Sequence, residues 1–198
     1  VTFGTLGMKL GGSKLKKAFE RFGFTKDIGD DIVMTKSHLP DFGKIGNGDL
    51  AQTAIGQSSL LVTPMHMALM AAAYANGGII MKPYLVQQVI SPGGTVLHET
   101  KPVKWLTATT PDMVSKIDSY MEAVVTKGTG RAAQVSGIKV TGKTGTAENA
   151  HGEDHAWFIG SAELRNRCIV FAIIVENGGS GGIQAAPIAR KIILSLQN

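Results

Sequence analysis

The sequence contains little cysteine, few aromatic residues and no run of charge of one sign. Its single cysteine, Cys168, lies in the apolar segment 168–175, a setting that predicts a buried structural thiol rather than a nucleophile or a disulfide partner. The 20 basic and 15 acidic residues give a net charge of +5 but are scattered along the chain. The seven Phe, three Tyr and two Trp do not interleave with the basic residues, so the sequence predicts no nucleic-acid partner.

The chain also lacks a long hydrophobic run, a start methionine and a signal-peptide pattern. No segment approaches the roughly 18 apolar residues that a membrane-spanning helix needs. Since Val1-Thr2-Phe3 does not resemble a natural N-terminus, we expect that terminus to lie elsewhere. A chain of 198 residues that is 43% hydrophobic and 18% charged is typical of a globular domain with one sizeable core.

Helical spacing of apolar residues dominates the first 130 residues. In segment 5–22 a pair of glycines interrupts that spacing, which predicts two short helices, and a Gly-rich polar stretch follows over 23–54. Thr63 and Thr110 each place a capping hydroxyl before a proline suited to the first helical turn, so each predicts a helix start. Between these helices, the turn sequence at 91–94 joins two short apolar segments in a predicted surface hairpin.

The apolar pattern changes from helical to alternating or continuous after residue 130. Segments 138–141, 156–162 and 168–175 predict three strands, and the short connections between them favour antiparallel pairing. A last helix is predicted over 186–196. Helices followed by a strand meander and a closing helix indicate an α+β fold.

One segment, 137–144, satisfies the phosphate-loop pattern G-x-x-x-x-G-K-[ST] in full. A phosphate loop needs a strand before its first glycine and a helix from the lysine onward. Here the residues between the glycines are strand-like, and Thr144-Gly145-Thr146 disfavours a helix. Nucleotide binding therefore stays a weaker alternative.

The same lysine also begins Lys143-Thr144-Gly145-Thr146, and K-T-G on a strand is a motif of serine β-lactamases and penicillin-binding proteins. Acyl transfer from a D-Ala-D-Ala stem needs an edge strand, a cation near the substrate carboxylate and donors for the developing oxyanion. We predict that Lys143 supplies the charge and that the hydroxyls of Thr144 and Thr146 bind the carboxylate. Gly145 would allow close approach, and the backbone N–H of Thr146 would be one oxyanion donor.

Further segments resemble penicillin-binding transpeptidases at matching places along almost the entire chain. Residues 56–68 resemble the family pattern G-Q-x-x-x-x-V-T-P-x-x-x-A, with Ser58 at a position where glycine is common, which we expect to be tolerated. The segments Ala75-Asn76-Gly77-Gly78, Gly128-Thr129-Gly130 and 156–160 also fit. Together they favour the monofunctional, class B type over the bifunctional, class A type.

The resemblance implies a serine β-lactamase/transpeptidase-like fold, in which an antiparallel sheet with a C-terminal helix joins a helical lobe. Residues 1–198 would form the C-terminal portion of one such domain, beginning just after its S-x-N motif. The mainly helical part with a hairpin would cover 1–130, and the sheet strands with the terminal helix 131–198. The nucleophile pair S-x-x-K would lie upstream, so we expect this chain alone to be inactive. Ser13 begins a formal S-x-x-K match and remains an alternative nucleophile.

Several polar and aromatic residues near the motif have more than one interpretation. His151, Glu153, Asp154 and His155 concentrate possible metal ligands, but they match no zinc-protease pattern and fall in a predicted hairpin loop, so we expect a solvated turn. Glu148 either shapes the edge of the site or is an exposed turn carboxylate. Trp157 and Phe158 are predicted to fill the core beneath the sheet.

The resemblance implies a D,D-transpeptidase that cross-links peptidoglycan stem peptides, is acylated by β-lactams and needs no metal or organic cofactor. It would act at the extracytoplasmic face of the bacterial cell membrane, anchored by an upstream helix. Other partners would be the upstream part of the same domain and proteins of a cell-wall synthesis complex. A β-lactam-sensing receptor domain, a D,D-carboxypeptidase and a β-lactamase remain alternatives.

Overall fold

The computed structural model describes residues 1–28 and 35–197, and all but the last of its α-helices lie before residue 130. In chain order the elements are α1 (Thr2–Leu10), α2 (Gly12–Arg21), α3 (Asn47–Thr53), α4 (Pro64–Ala75), β1 (Ile79–Met81), β2 (Gln88–Ile90), β3 (Val96–Glu99), β4 (Lys104–Thr107), α5 (Pro111–Thr126), a 3-10 turn (Arg131–Ala133), β5 (Val140–Ala147), β6 (His155–Leu164), β7 (Arg167–Val175) and α6 (Ala185–Ser195). This order confirms the predicted α+β class. Within those ranges no helix combines the length and the apolar character needed to cross a membrane.

The first two helices are separated by a single glycine. Gly11 adopts a φ of 83°, a backbone conformation that glycine reaches without steric cost and that other residues avoid. The prediction of two short helices in 5–22 is confirmed.

Helix α3 lies in the stretch 23–54, which the sequence shows only as Gly-rich and polar. With seven residues, one of them Gly48, α3 has little intrinsic stability as a helix. It packs against α1, where Gly7 approaches Ala54 so closely that a side chain at position 7 would collide with it. The sequence did not predict α3, and residues 29–34 of the same stretch lie outside the described residues.

The two predicted threonine caps are present at the starts of α4 and α5. The Thr63 hydroxyl accepts a hydrogen bond from the backbone N–H of His66 at 3.2 Å, and the Thr110 hydroxyl accepts one from that of Met113 at 3.4 Å. Each helix carries its proline in the first turn. Both predicted helix starts are therefore confirmed. The caps stabilise the helices because they satisfy backbone N–H donors that have no partner within the helix.

The side chain of His66 joins α4 to the end of α2. Its Nε2 lies 3.0 Å from the carbonyl oxygen of Phe22, and since a carbonyl only accepts, Nε2 carries the hydrogen. Nδ1 is then the acceptor for the Ser37 hydroxyl at 3.0 Å. Burial lowers the pKa of His66, which agrees with this neutral form.

Two small sheets follow α4. Strands β2 and β3 pair antiparallel and confirm the predicted hairpin. Strands β1 and β4 pair at the base of this hairpin. The sequence did not predict this pair, because the two strands are only three and four residues long and the whole hairpin separates them. Ile80 of β1 is fully buried and packs in one cluster with Leu69 and Ala73 of α4.

The main sheet has the order β5-β6-β7 with antiparallel neighbours, which confirms three strands, although the first, predicted over 138–141, spans Val140–Ala147. Its core face presents Phe158 and Phe171, whose rings stack with centroids 5.9 Å apart. Helix α6, also predicted, covers this face with small residues and Ile193. Small side chains allow the helix to pack close to the strands.

Two expectations about buried side chains are corrected. Cys168 is exposed, because it lies opposite Glu163 beside the turn that joins β6 to β7, where the strand leaves the core. Phe158 lies in the core as predicted, whereas Trp157 is only partly buried. Neighbouring residues of a strand point to opposite faces, so only one of the two can fill the core on one side of the sheet.

Candidate functional site

The K-T-G-T segment lies in the terminal strand of the main sheet. One edge of β5 pairs with β6, and no other strand that the structure describes pairs with its second edge, here called the outer edge. In an antiparallel strand the N–H and C=O of one residue point to the same edge, and successive residues alternate between edges. The outer edge therefore belongs to every second residue of β5.

Two side-chain contacts show which residues these are. The Lys143 ammonium donates a hydrogen bond to the Thr144 carbonyl oxygen at 2.6 Å, and Nε2 of Gln57 donates to that of Thr146 at 3.3 Å. Thr141 lies an odd number of residues away from Thr144, and its carbonyl oxygen is directed toward Gly160 of β6. The backbone groups of Thr144 and Thr146 thus face the outer edge, including the Thr146 N–H that the sequence singles out as an oxyanion donor.

Lys143 places a cation along this edge. Partial burial lowers the pKa of its ammonium, although the side chain keeps substantial contact with solvent. Its bond to the next residue's carbonyl holds the charge against the backbone rather than extended into water. The site therefore combines a positive charge with outward-facing backbone groups.

The hydroxyl of Thr144 is bound to the loop that follows α5. Its Oγ1 lies 2.6 Å from Oγ1 of Thr129, the central residue of the Gly128-Thr129-Gly130 segment. Thr146, by contrast, has an exposed side chain. Of the two hydroxyls predicted to bind a carboxylate, the structure gives one a protein partner and leaves the other facing solvent.

Gly145 lies opposite Trp157 of β6. An added Cβ at position 145 would lie 3.0 Å from the Cβ of Trp157, closer than ordinary van der Waals contact. The absence of a side chain at position 145 lets Trp157 pack beside the motif.

A glycine-rich segment before α6 also contacts the motif, and the sequence reasoning missed it. Gly181 lies against the backbone of Gly145 and Trp157, and an added Cβ at Gly182 would lie 2.5 Å from the carbonyl oxygen of Thr129. The repeated glycines in 178–182 were the available signal, because close approach of two backbones requires residues without a Cβ.

The loop between β5 and β6 is joined to the turn after β7. Asn177, with a φ of 53°, accepts a hydrogen bond from the Asn149 amide at 2.6 Å and donates its backbone N–H to Nδ1 of His155 at 3.0 Å. His155 thus begins β6 with one ring nitrogen already occupied.

His151, Glu153 and Asp154 lie in the loop as predicted, and the described residues contain no group of three or more side chains placed to hold a metal ion. Glu148 is exposed.

Two alternative readings of the sequence can be compared with these positions. Lys143 and Thr144 lie inside β5, which continues to Ala147, so the helix that a phosphate loop requires from its lysine onward is absent there. The phosphate-loop interpretation is therefore wrong. Ser13 is exposed in the first turn of α2, and no hydrogen bond of the described residues joins it to β5.

The sequence profile of the penicillin-binding protein transpeptidase domain matches residues 1–194. The chain belongs to this family. Peptidoglycan D,D-transpeptidase PbpA of Mycolicibacterium smegmatis is 32% identical over 203 residues, which cover 96% of this chain and 40% of that protein. Stage V sporulation protein D of Bacillus subtilis is also 32% identical, with 96% of this chain and 31% of that protein covered.

Solved structures of transpeptidases from this family share the fold. The D,D-transpeptidase domain of a peptidoglycan glycosyltransferase from Eggerthella lenta has a TM-score of 0.90 at 32% identity and covers 99% of this chain and 50% of its own. A ceftriaxone acyl-enzyme complex of penicillin-binding protein A from M. tuberculosis has a TM-score of 0.90 at 29% identity, with 99% and 46% covered. This transpeptidase-family chain therefore spans about 40% of the first curated relative's length and about half of the solved chains.

Proposed function

We propose that this chain forms the substrate-binding portion of a class B peptidoglycan D,D-transpeptidase that cross-links stem peptides by serine acyl transfer and is acylated by β-lactams. The observation that carries the proposal is the outer edge of β5, where the Lys143 ammonium and the backbone of Thr146 lie together. The relatives named as D,D-transpeptidases and the β-lactam acyl-enzyme of a structural neighbour support it.

An extended D-Ala-D-Ala stem fits this edge as an added antiparallel strand. Opposite Thr146, one peptide residue receives the Thr146 N–H on its carbonyl oxygen and offers its own N–H to the Thr146 carbonyl. If that residue is the penultimate D-Ala, the Thr146 N–H stabilises the negative charge that develops when the carbonyl carbon is attacked. The Lys143 ammonium and the Thr146 hydroxyl then lie on the edge that receives the terminal carboxylate.

The acyl transfer proceeds in two steps. A serine oxygen forms a bond to the penultimate D-Ala carbonyl carbon as its proton is removed, and the bond to the terminal D-Ala nitrogen breaks with protonation of that nitrogen. The amine of a second stem then forms a bond to the same carbonyl carbon and loses a proton, while the bond to the serine oxygen breaks and that oxygen is protonated, which completes the cross-link. Lys143 and its neighbours bind and polarise the substrate in both steps, but they supply no nucleophile.

We propose that the nucleophile comes from residues outside this chain, in an upstream part of the same domain. An apolar surface of α1 supports this, because Phe3 is 71% and Leu6 51% exposed on a helix that also packs on α3, and adjacent exposed apolar side chains can be covered by another part of the protein. The same upstream portion would carry the membrane anchor that places the domain on the extracytoplasmic face. Proteins of a cell-wall synthesis complex would be further partners.

Labelling with a fluorescent penicillin tests this function. The chain joined to its native upstream segment should form a covalent adduct at a serine of that segment, whereas the chain alone should form none. Mass spectrometry of the labelled peptide identifies the serine. An adduct on Ser13 of the isolated chain would refute the proposal, and a rapidly hydrolysed adduct would indicate a carboxypeptidase or β-lactamase instead.

A further inference from the structure

Gln57 lies in a turn after α3 whose backbone is held in an unusual conformation. Gly56 has a φ of 84° and Ser58 a φ of 66°, so two residues in the left-handed region flank Gln57. That region is unfavourable for serine, and strained backbone of this kind tends to cluster at functional sites.

Three hydrogen bonds hold this turn. The backbone N–H of Gln57 donates to the Gln52 carbonyl at 3.0 Å and that of Gly56 to the Thr53 carbonyl at 3.0 Å, which attaches the turn to the end of α3. The Ser58 hydroxyl donates to the Asp49 carboxylate at 3.2 Å. The position from which the Gln57 side chain extends is therefore well defined.

From this turn the Gln57 side chain reaches the outer edge of β5. Its Nε2 donates to the Thr146 carbonyl oxygen at 3.3 Å across 89 positions of sequence, and the side chain is partly buried. The contact links the helical part of the chain directly to the substrate strand. It involves the backbone carbonyl of the residue whose N–H is the predicted oxyanion donor.

We propose that Gln57 is a positioning residue for the acyl-donor amide, an inference that rests on the proposed function. A substrate paired with Thr146 offers its own amide N–H to the carbonyl oxygen that Gln57 already holds. A carbonyl oxygen has two lone pairs, so it accepts both donors. Gln57 fixes the direction of this carbonyl before the substrate arrives. This reduces the entropic cost of ordering the carbonyl when the substrate binds.

The ligands that benefit are those with an amide N–H next to the acylated carbonyl. Stem peptides have this N–H on the penultimate D-Ala, and penicillin G has it on its side-chain amide. Imipenem carries a hydroxyethyl group at the corresponding position and has no amide N–H there. Loss of the Gln57 contact should therefore slow acylation by penicillin G and leave acylation by imipenem largely unchanged.

The test uses the chain joined to its native upstream segment and measures the second-order acylation rate constants for penicillin G and imipenem by mass spectrometry. For Gln57→Ala, the ratio of the two constants should fall roughly three- to tenfold, the effect of one net hydrogen bond between neutral groups. Gln57→Glu keeps the size but turns a carboxylate toward the Thr146 carbonyl, so its ratio should fall further. Because each ratio is taken on one preparation, a partly unfolded variant does not change it.

Gln87→Ala, an exposed glutamine beside the hairpin, is the matched control and should leave the ratio unchanged. An unchanged ratio for Gln57→Ala would overturn the inference. A raised ratio would also overturn it, because it would show that Gln57 competes with the ligand amide. Failure of the proposed function would look different, since the unsubstituted protein would then react with neither drug.

Discussion

Replacing Phe158 by alanine tests the packing that supports the K-T-G-T strand. Phe158 is fully buried, stacks on Phe171 and lies opposite Thr144 in the register of β5 and β6. Its ring also approaches Gly130 and Gly142, where an added Cβ would lie 3.1 and 2.5 Å from ring atoms. Neither of these two glycines has a side chain that could move into the cavity that the ring would leave. We therefore expect the full cost of a buried phenylalanine truncation, about 3–5 kcal/mol in the free energy of unfolding.

Equilibrium unfolding in urea, followed by tryptophan fluorescence, measures this loss. A decrease of that size is a large part of the roughly 5–15 kcal/mol that stabilises a typical domain, so the midpoint should shift strongly. The matched control is Tyr120→Ala on α5, where the aromatic ring is 66% exposed and its removal should change stability by no more than about 0.5 kcal/mol. A loss below about 1 kcal/mol for Phe158→Ala would refute the proposed packing.

Two further predictions concern α4. Thr63→Ala removes the cap that accepts the His66 N–H and should lower the free energy of unfolding by about 1 kcal/mol, while Thr63→Ser should restore most of it; equal midpoints in urea would contradict this. The second concerns pH, because burial lowers the folded-state pKa of His66 below 6.5 and the unfolded state then binds more protons. Stability should therefore fall as the pH drops below about 6.5. His66→Gln should weaken this dependence, and parallel pH profiles of the two proteins would argue against it.

The sequence predicted those helices and strands that depend on interactions between residues close together in the chain. Thr63 and Thr110 form their caps within four residues of sequence, and the apolar segments 156–162 and 168–175 lie in β6 and β7. α3 and the pairing of β1 with β4 escaped prediction because contacts distant in sequence stabilise them. Cys168 was assigned to the core from an apolar run, yet burial depends on how far the core extends along the strand.

The sequence by itself determined the family, the α+β class and the strand that carries Lys143, because these depend on motifs and on local periodicity. It did not determine which edge of that strand is open, since an alternating pattern is the same whichever neighbour β5 pairs with. Only the tertiary structure decided that the backbone of Thr146 faces outward. It also decided that Gln57 reaches this backbone, because such a contact depends on where the turn after α3 lies relative to β5.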